Sequence, residues 1–198
     1  MSLRIAVDVD GVLADHVGAV LSRLKKEYPG FDRTRESMTH WDEELPSLDT
    51  SLKPVIEQSE SDPAFVREME PIEGAVETMT ALAEQGHELV IVTARPEENL
   101  AATHDWLEDR GIPHNRKKSK STNGRMKTMA DAAVLIDDFP GHVQDFANSD
   151  RFGILFEQPW NKNHIADLIK SPRIFAAESW DKIPEIIGSL ETIETESL

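Results

Sequence analysis

The sequence predicts an α/β fold: a doubly wound, Rossmann-like parallel sheet with a small helical segment inserted after the first strand. Three observations carry this prediction. Short, near-continuous apolar runs recur along the chain, as expected for strands buried on both faces. Stretches with apolar residues at helical spacing lie between them, and strict alternation of the two is the pattern of a parallel sheet covered by helices. The alternation is broken once, between about His16 and Glu70, where no buried strand is visible.

The first run, Leu3 to Val9, is rich in β-branched residues and stops at Asp10-Gly11. His16 to Glu70 then carries Val17, Val20, Leu21, Leu24 and Tyr28 at helical spacing, followed by Pro29-Gly30, Trp41, Pro46, Pro54 and Pro63. That content predicts a mostly helical insertion. At Pro71-Ile-Glu-Gly74 the alternation resumes. Val76, Met79, Leu82 and Ala83 share one helix face, and Gly86 supplies a C-terminal stop. The second strand is Glu88–Thr93; Leu100, His104 and Leu107 mark the next helix, before Gly111. Asn123-Gly124 predicts a turn leading into a short helix that carries Lys127. The third strand is Ala133–Asp137, the fourth Phe152–Phe156, and Arg173–Ala177 reads as a fifth. Helices separate them, at Val143, Phe146 and Ala147, and at Ile165, Leu168 and Ile169. Ser179 is placed to cap a last helix presenting Ile183, Ile186, Ile187 and Leu190, and the tail from Glu191 is expected to fray. The expected division is a core of residues 1–15 and 71–198 with residues 16–70 as an inserted cap.

The chain's 198 residues suffice for one large core. It has 21 basic and 37 acidic side chains, a formal charge of −16, which argues against polymeric nucleic acid and anionic membranes as partners. Cysteine is absent, so thiol catalysis, thiolate metal sites and disulfides are excluded. No apolar run reaches membrane-spanning length, and Met1 leads straight into the first strand without a signal-like segment, so a cytoplasmic protein is expected.

Chemistry-bearing residues gather at the predicted strand ends. Asp8 and Asp10 close the first strand and, two residues apart, face the same side. Ligands of open α/β sheets bind beyond these carboxyl ends. Paired carboxylates there suit a hard cation or divided acid and base work. Thr93 ends the second strand, and its hydroxyl with the following backbone of Ala94 and Arg95 suits a phosphoryl oxygen. Asp137 and Asp138 end the third, where adjacent like charges call for a cation or a firm hydrogen-bond network. Lys127 belongs to a basic segment with Arg116, Lys117, Lys118, Lys120 and Arg125, and no acid lies between His114 and Ala130. A solvated loop accounts for most of these cations. Trp41, Phe31 and Phe65 are candidates to line a pocket in the insertion, although packing is the commoner reason for an aromatic there. The seven histidines have no zinc-site spacing, and no Walker loop or Gly-x-Ser-x-Gly turn occurs.

Asp8-Val-Asp10-Gly-Val-Leu-Ala-Asp15, Val-Thr93-Ala-Arg, Lys127 and Ile-Asp137-Asp138 resemble, in order and spacing, the four motifs of the haloacid dehalogenase superfamily of phosphohydrolases. Within it, Phe65-Val-Arg-Glu-Met-Glu-Pro71-Ile-Glu-Gly-Ala and Phe156-Glu-Gln-Pro-Trp-Asn161 resemble the 5′(3′)-deoxyribonucleotidases, the type C 5′-nucleotidases. Some relatives carry Arg where this chain has Phe139, and Ser where it has Ala94; both positions bear on substrate contacts.

The resemblance implies a phosphatase in which Asp8 attacks phosphorus to form an aspartyl-phosphate and Asp10 serves as acid and then base. It implies Mg²⁺ as cofactor, held by the Asp8 carboxylate, the Asp10 carbonyl and Asp137, with Asp138 acting through bound water. Thr93 and Lys127 would hold the phosphoryl oxygens, and Ala94, Arg95, Trp41 and Phe65 would complete the substrate site beneath the cap. The expected partner is a small phosphomonoester, a nucleoside monophosphate by the narrower resemblance, and a homodimer is left open. A phosphatase or mutase for another phosphometabolite, such as a sugar phosphate, shares the same core. A phosphoacceptor or binding domain is a third reading. Receiver domains, however, place their paired acids early and a lone acceptor later, the reverse of the order found here.

Overall fold

The computed structural model describes residues 2–40, 42–60, 62–122 and 127–196. Among them, β1 (Arg4–Val7) is followed by α1 (His16–Glu27), a hairpin of β2 (Glu44–Leu45) and β3 (Thr50–Ser51), α2 (Leu52–Glu60) and α3 (Pro63–Glu68). Then come α4 (Ala75–Glu84), β4 (Glu88–Thr93), α5 (Leu100–Asp109) and β5 (Lys120–Ser121). The chain closes with β6 (Val134–Asp137), α6 (Pro140–Asn148), β7 (Phe152–Phe156), α7 (Lys162–Leu168), β8 (Ile174–Ala177) and α8 (Ile183–Glu196).

The six-stranded sheet has the order β5-β4-β1-β6-β7-β8 and every pairing in it is parallel. The chain winds outward from β1 to β5, then returns to β6 and winds the other way. β1 therefore lies between the two halves, where strand order reverses and a crevice opens. Strand parity divides the core. Ile5, Val7, Leu89, Ile91, Val134 and Ile136 face one layer, with Trp106, Trp180 and Ile187. Ala6, Val90, Val92 and Leu135 face the other, with Phe146. Both faces are apolar because helices cover both, which is why the strands read as continuous apolar runs.

Val7 pairs with Ile91 on one side and Ile136 on the other, so β1, β4 and β6 end at nearly the same level. The Asp8 N–H extends the ladder by one bond, donating to the Ile136 carbonyl at 3.0 Å. The chain then turns sharply: the Leu13 and Ala14 N–H groups both donate to Val9 O, at 2.9 and 2.8 Å, and Gly11 takes a φ of +74°. The two connections of the 16–70 segment run side by side. Asp15 N donates to Glu70 O at 2.9 Å and Ile72 N to Leu13 O at 2.8 Å.

Several local expectations need correction. The 16–70 segment contains a small hairpin besides its helices; each strand is two residues long, too short to leave a pattern. The sequence predicts no strand at β5, because Lys120-Ser121 carries no apolar signal; it joins the sheet at its edge by pairing with β4. Ser179 makes no side-chain cap bond; a 3₁₀ turn, Trp180–Lys182, separates it from α8. That last helix continues through Glu196 instead of ending near Glu191. The short helix expected to carry Lys127 is present as a single 3₁₀ turn, Lys127–Met129. The expected turn at Asn123-Gly124 lies outside the described residues, as do Trp41 and Arg125. No described helix is long and apolar enough to cross a membrane.

Candidate active site

Asp8, Asp137 and Asp138 converge at the carboxyl ends of β1 and β6. All three are buried, and one carboxylate oxygen from each lies within 4.8 Å of the others. Lys127 enters from the turn before β6. Its Nζ is 2.7 Å from Asp8 Oδ2 and 2.8 Å from Asp137 Oδ2, and the residue is 1 % exposed. The cluster then holds three carboxylates and one ammonium, −3 + 1 = −2 if all are ionised. A buried net charge of this size fits a divalent cation, and oxygen-only donors suit a hard one.

The electrostatics show the same deficit. Burial, against the pull of Lys127, pushes the Asp8 carboxyl up to about 6, and repulsion from Asp137 and Asp10 adds to it. Burial also raises Asp138 well above the usual carboxylate range, with Asp137 and Asp8 acting in the same direction. Asp137 behaves differently. Burial pushes it up, but Lys127 and the His142 imidazole, 3.2 Å away, outweigh that and hold it low. Burial likewise disfavours the Lys127 ammonium, yet Asp137 and Asp8 hold it firmly charged.

Around the cluster, backbone and side chains fix each carboxylate. Val9 N donates to Asp8 Oδ1 at 2.8 Å, and Phe139 N to Asp137 Oδ1 at 2.8 Å. The Trp160 indole N–H donates to Asp138 Oδ2 at 2.9 Å, and the Asn161 amide donates to the Asp138 and Phe156 carbonyls at 2.7 and 2.8 Å. Gln158 donates to Gly11 O at 2.6 Å. A Cβ on Gly11 would sit 2.8 Å from Asp138 Cγ, so both the positive φ and the close approach require glycine there. Sequence reasoning assigned no role to Gln158, Trp160, Asn161 or His142. The first three follow β7 at the same sheet edge, two to five residues beyond its last residue, Phe156.

Asp10 is separate. Its carboxylate is not among the three convergent ones; it faces Arg95, whose Nε donates to Oδ2 at 2.8 Å and Nη2 to Oδ1 at 2.6 Å. His16 Nδ1 lies 3.8 Å from Asp10 Oδ1. Burial favours the neutral acid at Asp10, but Arg95 first and His16 second hold its carboxyl below the usual range. Thr93 is fully buried and its hydroxyl accepts from Arg95 N at 3.2 Å, while Ala94 is exposed. Phe65 packs edge-on to His16, with ring centroids 6.0 Å apart, and lines a groove of about 580 Å³ between α1 and α3 with Asp15 and Arg23. Phe31 is buried in the main core. Three of the six residues of the basic segment are committed elsewhere: Arg116 pairs with Glu108, Lys118 with Glu88, and Lys120 Nζ donates to Met129 O. Phe139, 49 % exposed, stands at the rim beside Asp138, its ring edge-on to His142.

Comparison with known proteins gives this arrangement a family. The mouse mitochondrial 5′(3′)-deoxyribonucleotidase is 29 % identical over 150 residues, 70 % of this chain and 66 % of that protein, just under two thirds of its length. A Bordetella bronchiseptica protein described as a putative 5′(3′)-deoxyribonucleotidase is 25 % identical over 173 residues, 81 % of this chain and 87 % of its own. In fold, a haloacid dehalogenase-family hydrolase from Deinococcus radiodurans R1, crystallised with phosphate and sodium, superposes with a TM-score of 0.61. It does so at 16 % identity, covering 95 % of this chain and 96 % of its own. The family described as 5′ nucleotidase, deoxy (pyrimidine), cytosolic type C protein matches residues 2–192. With nearly its whole length matched, the chain belongs to this cytosolic type C 5′ nucleotidase family, and it shares its fold with the haloacid dehalogenase-family hydrolase.

Proposed function

We propose that the protein is a divalent-cation-dependent phosphomonoester hydrolase, with Mg²⁺ as the metal and nucleoside monophosphates as substrates. The observation that supports this reading best is Asp8 itself: a buried carboxylate at the end of the central strand, beside an ammonium and two further acids. An Asp8 oxygen attacks phosphorus while the bond to the leaving oxygen breaks; Asp10, which Arg95 keeps ionised in the free protein, enters this step protonated when the anionic substrate binds and donates that proton to the leaving oxygen. Water then attacks phosphorus, its proton passes to Asp10, and the bond between Asp8 and phosphorus breaks, which regenerates the Asp8 carboxylate and releases inorganic phosphate. Lys127 and Thr93 hold the phosphoryl oxygens as charge shifts during each displacement. Asp8, Asp137 and Asp138, with the Asp10 carbonyl, are the ligands proposed for the metal. When bound, the metal screens the carboxylate from the anionic phosphate. Residues 16–70 form the cap, joined to the core through the paired connections at Asp15–Glu70 and Leu13–Ile72, and the cap reads the leaving group.

Phosphate release from a panel of nucleoside monophosphates and sugar phosphates, with and without Mg²⁺, tests the proposal. Preference for deoxynucleoside monophosphates, dependent on Mg²⁺, is expected. Preference for sugar phosphates would keep the chemistry and replace the substrate; metal-independent release would remove the cofactor.

The acids also predict a pH dependence of metal binding. Asp8, at about 6, and Asp138 bind protons more tightly folded than unfolded. In metal-free protein the cost of ionising them therefore appears as pH rises above the unfolded value of about 4 and, for Asp8, is complete above its folded value. Asp10 and Asp137 act oppositely, contributing stability that is lost as pH falls below the same unfolded value. A cation must displace the Asp8 and Asp138 protons at pH 5 but finds Asp8 largely ionised at pH 7.5. Calorimetry should accordingly show a Mg²⁺-induced rise in melting temperature that is larger at pH 7.5 than at pH 5. Equal shifts at both pH values would place the cation away from these carboxylates.

A further inference from the structure

Arg95 is 1 % exposed, and its guanidinium meets Asp10 fork to fork, with one N–H bond to each carboxylate oxygen. Among the described residues, several separate pieces of chain support Arg95. Its backbone follows the end of β4, where Arg95 N donates to the Thr93 hydroxyl and Arg95 O accepts from the Ser121 hydroxyl. From α5, the Thr103 hydroxyl accepts from Nη1 at 3.1 Å and itself donates to Asn99 O at 3.0 Å. From the exit of the 16–70 segment, Met69 Sδ lies 3.7 Å from Nη2. Met69 is itself pinned to α5 and its C-cap, because its carbonyl accepts from Trp106 Nε1 and from Arg110 Nη2, both at 2.9 Å.

A phosphate-binding arginine turns its N–H fork towards the incoming anion. Here the fork is turned onto a protein carboxylate instead. Asp10 lies in a tight loop, and the bidentate pair removes the freedom of both its side-chain torsions. A lysine at position 95 would preserve charge but not this planar match. We infer that Arg95 is a positioning residue, not a phosphate ligand: it sets where the Asp10 carboxylate points and ties that direction to the exit of the 16–70 segment. The inference rests on the proposed acid and base role of Asp10.

The test uses the full chain with Mg²⁺ and two substrates. One is p-nitrophenyl phosphate, whose leaving group departs as a stabilised anion and needs no proton. The other is the alkyl phosphomonoester that the wild-type protein hydrolyses fastest, whose leaving oxygen does need one. R95K is expected to lower kcat on the alkyl ester about 10²-fold, in the range of a misplaced general acid, with KM changed by less than about threefold. On p-nitrophenyl phosphate the loss in kcat should stay below about tenfold. Introduced into D10N, R95K should cost less than about threefold more, because the two residues act as one unit. T103V removes one support of the fork without touching Asp10 and should give a smaller loss, again in kcat, so the inference stays testable if R95K folds poorly. A parallel rise in KM for both substrates would make Arg95 a phosphate ligand and overturn the inference. Independent, multiplicative losses in the D10N background would overturn it too, as would a gain in kcat. All these outcomes leave the phosphatase reading standing. Absence of any turnover that D8N abolishes would instead overturn that reading, and this inference with it.

Discussion

Replacing Asp8 by asparagine is expected to abolish phosphate release, by about 10⁴-fold or more, while the protein stays folded. The amide is nearly the same size and keeps an oxygen for the 2.8 Å bond from Val9 N. It cannot supply the anionic oxygen that must form the bond to phosphorus. Stability should not suffer. Burial already pushes the Asp8 carboxyl up to about 6, so its charge at neutral pH costs the metal-free fold instead of supporting it. Lys127 retains Asp137 at 2.8 Å. Melting followed by circular dichroism should give D8N a midpoint equal to or above that of the metal-free wild type. Turnover within tenfold of wild type, with the fold intact, would move the nucleophile elsewhere.

Lys127→Met should damage both fold and activity. The ammonium is fully buried between Asp8 and Asp137. Without it, three buried carboxylates face one another with no cation, and breaking a buried pair this way costs about 3–5 kcal/mol. For a chain of this size that lowers the melting midpoint on the order of 10 °C. Added Mg²⁺ should recover part of the loss, since it supplies the missing positive charge. The rate should fall at least about 10²-fold, as for removal of one oxyanion donor. Lys118 makes a useful contrast: it is exposed and pairs with Glu88, so Lys118→Ala should leave both quantities nearly unchanged. A loss of tenfold or less in Lys127→Met would transfer the phosphoryl-binding role to another cation.

Much of the fold is legible in the sequence because parallel strands buried on both faces must be apolar throughout. Leu89-Val-Ile-Val and Val134-Leu-Ile announce themselves in that way. Lys120-Ser121 does not, since β5 is two half-buried residues whose only claim to the sheet is its pairing with Val92 and Thr93. The site divides along similar lines. Asp8, Thr93, Lys127, Asp137 and Asp138 are found by asking which polar residues end each apolar run. That question does not reach Trp160 or Asn161, which act through indole and amide donors on a residue 22 or 23 positions earlier.

The strand–helix alternation, the break in it after β1 and the gathering of acids at one sheet edge are written in the primary sequence. These are consequences of local pattern, because burial on two faces and the reach of a strand end are set residue by residue. Which charge meets which is set by the folded arrangement alone. Arg95 follows Thr93 by two residues and reads as part of the same anion-binding turn, yet its guanidinium closes on Asp10, 85 residues away. A buried guanidinium takes the nearest carboxylate that satisfies its fork, and that distance exists only after β1 and β4 have paired.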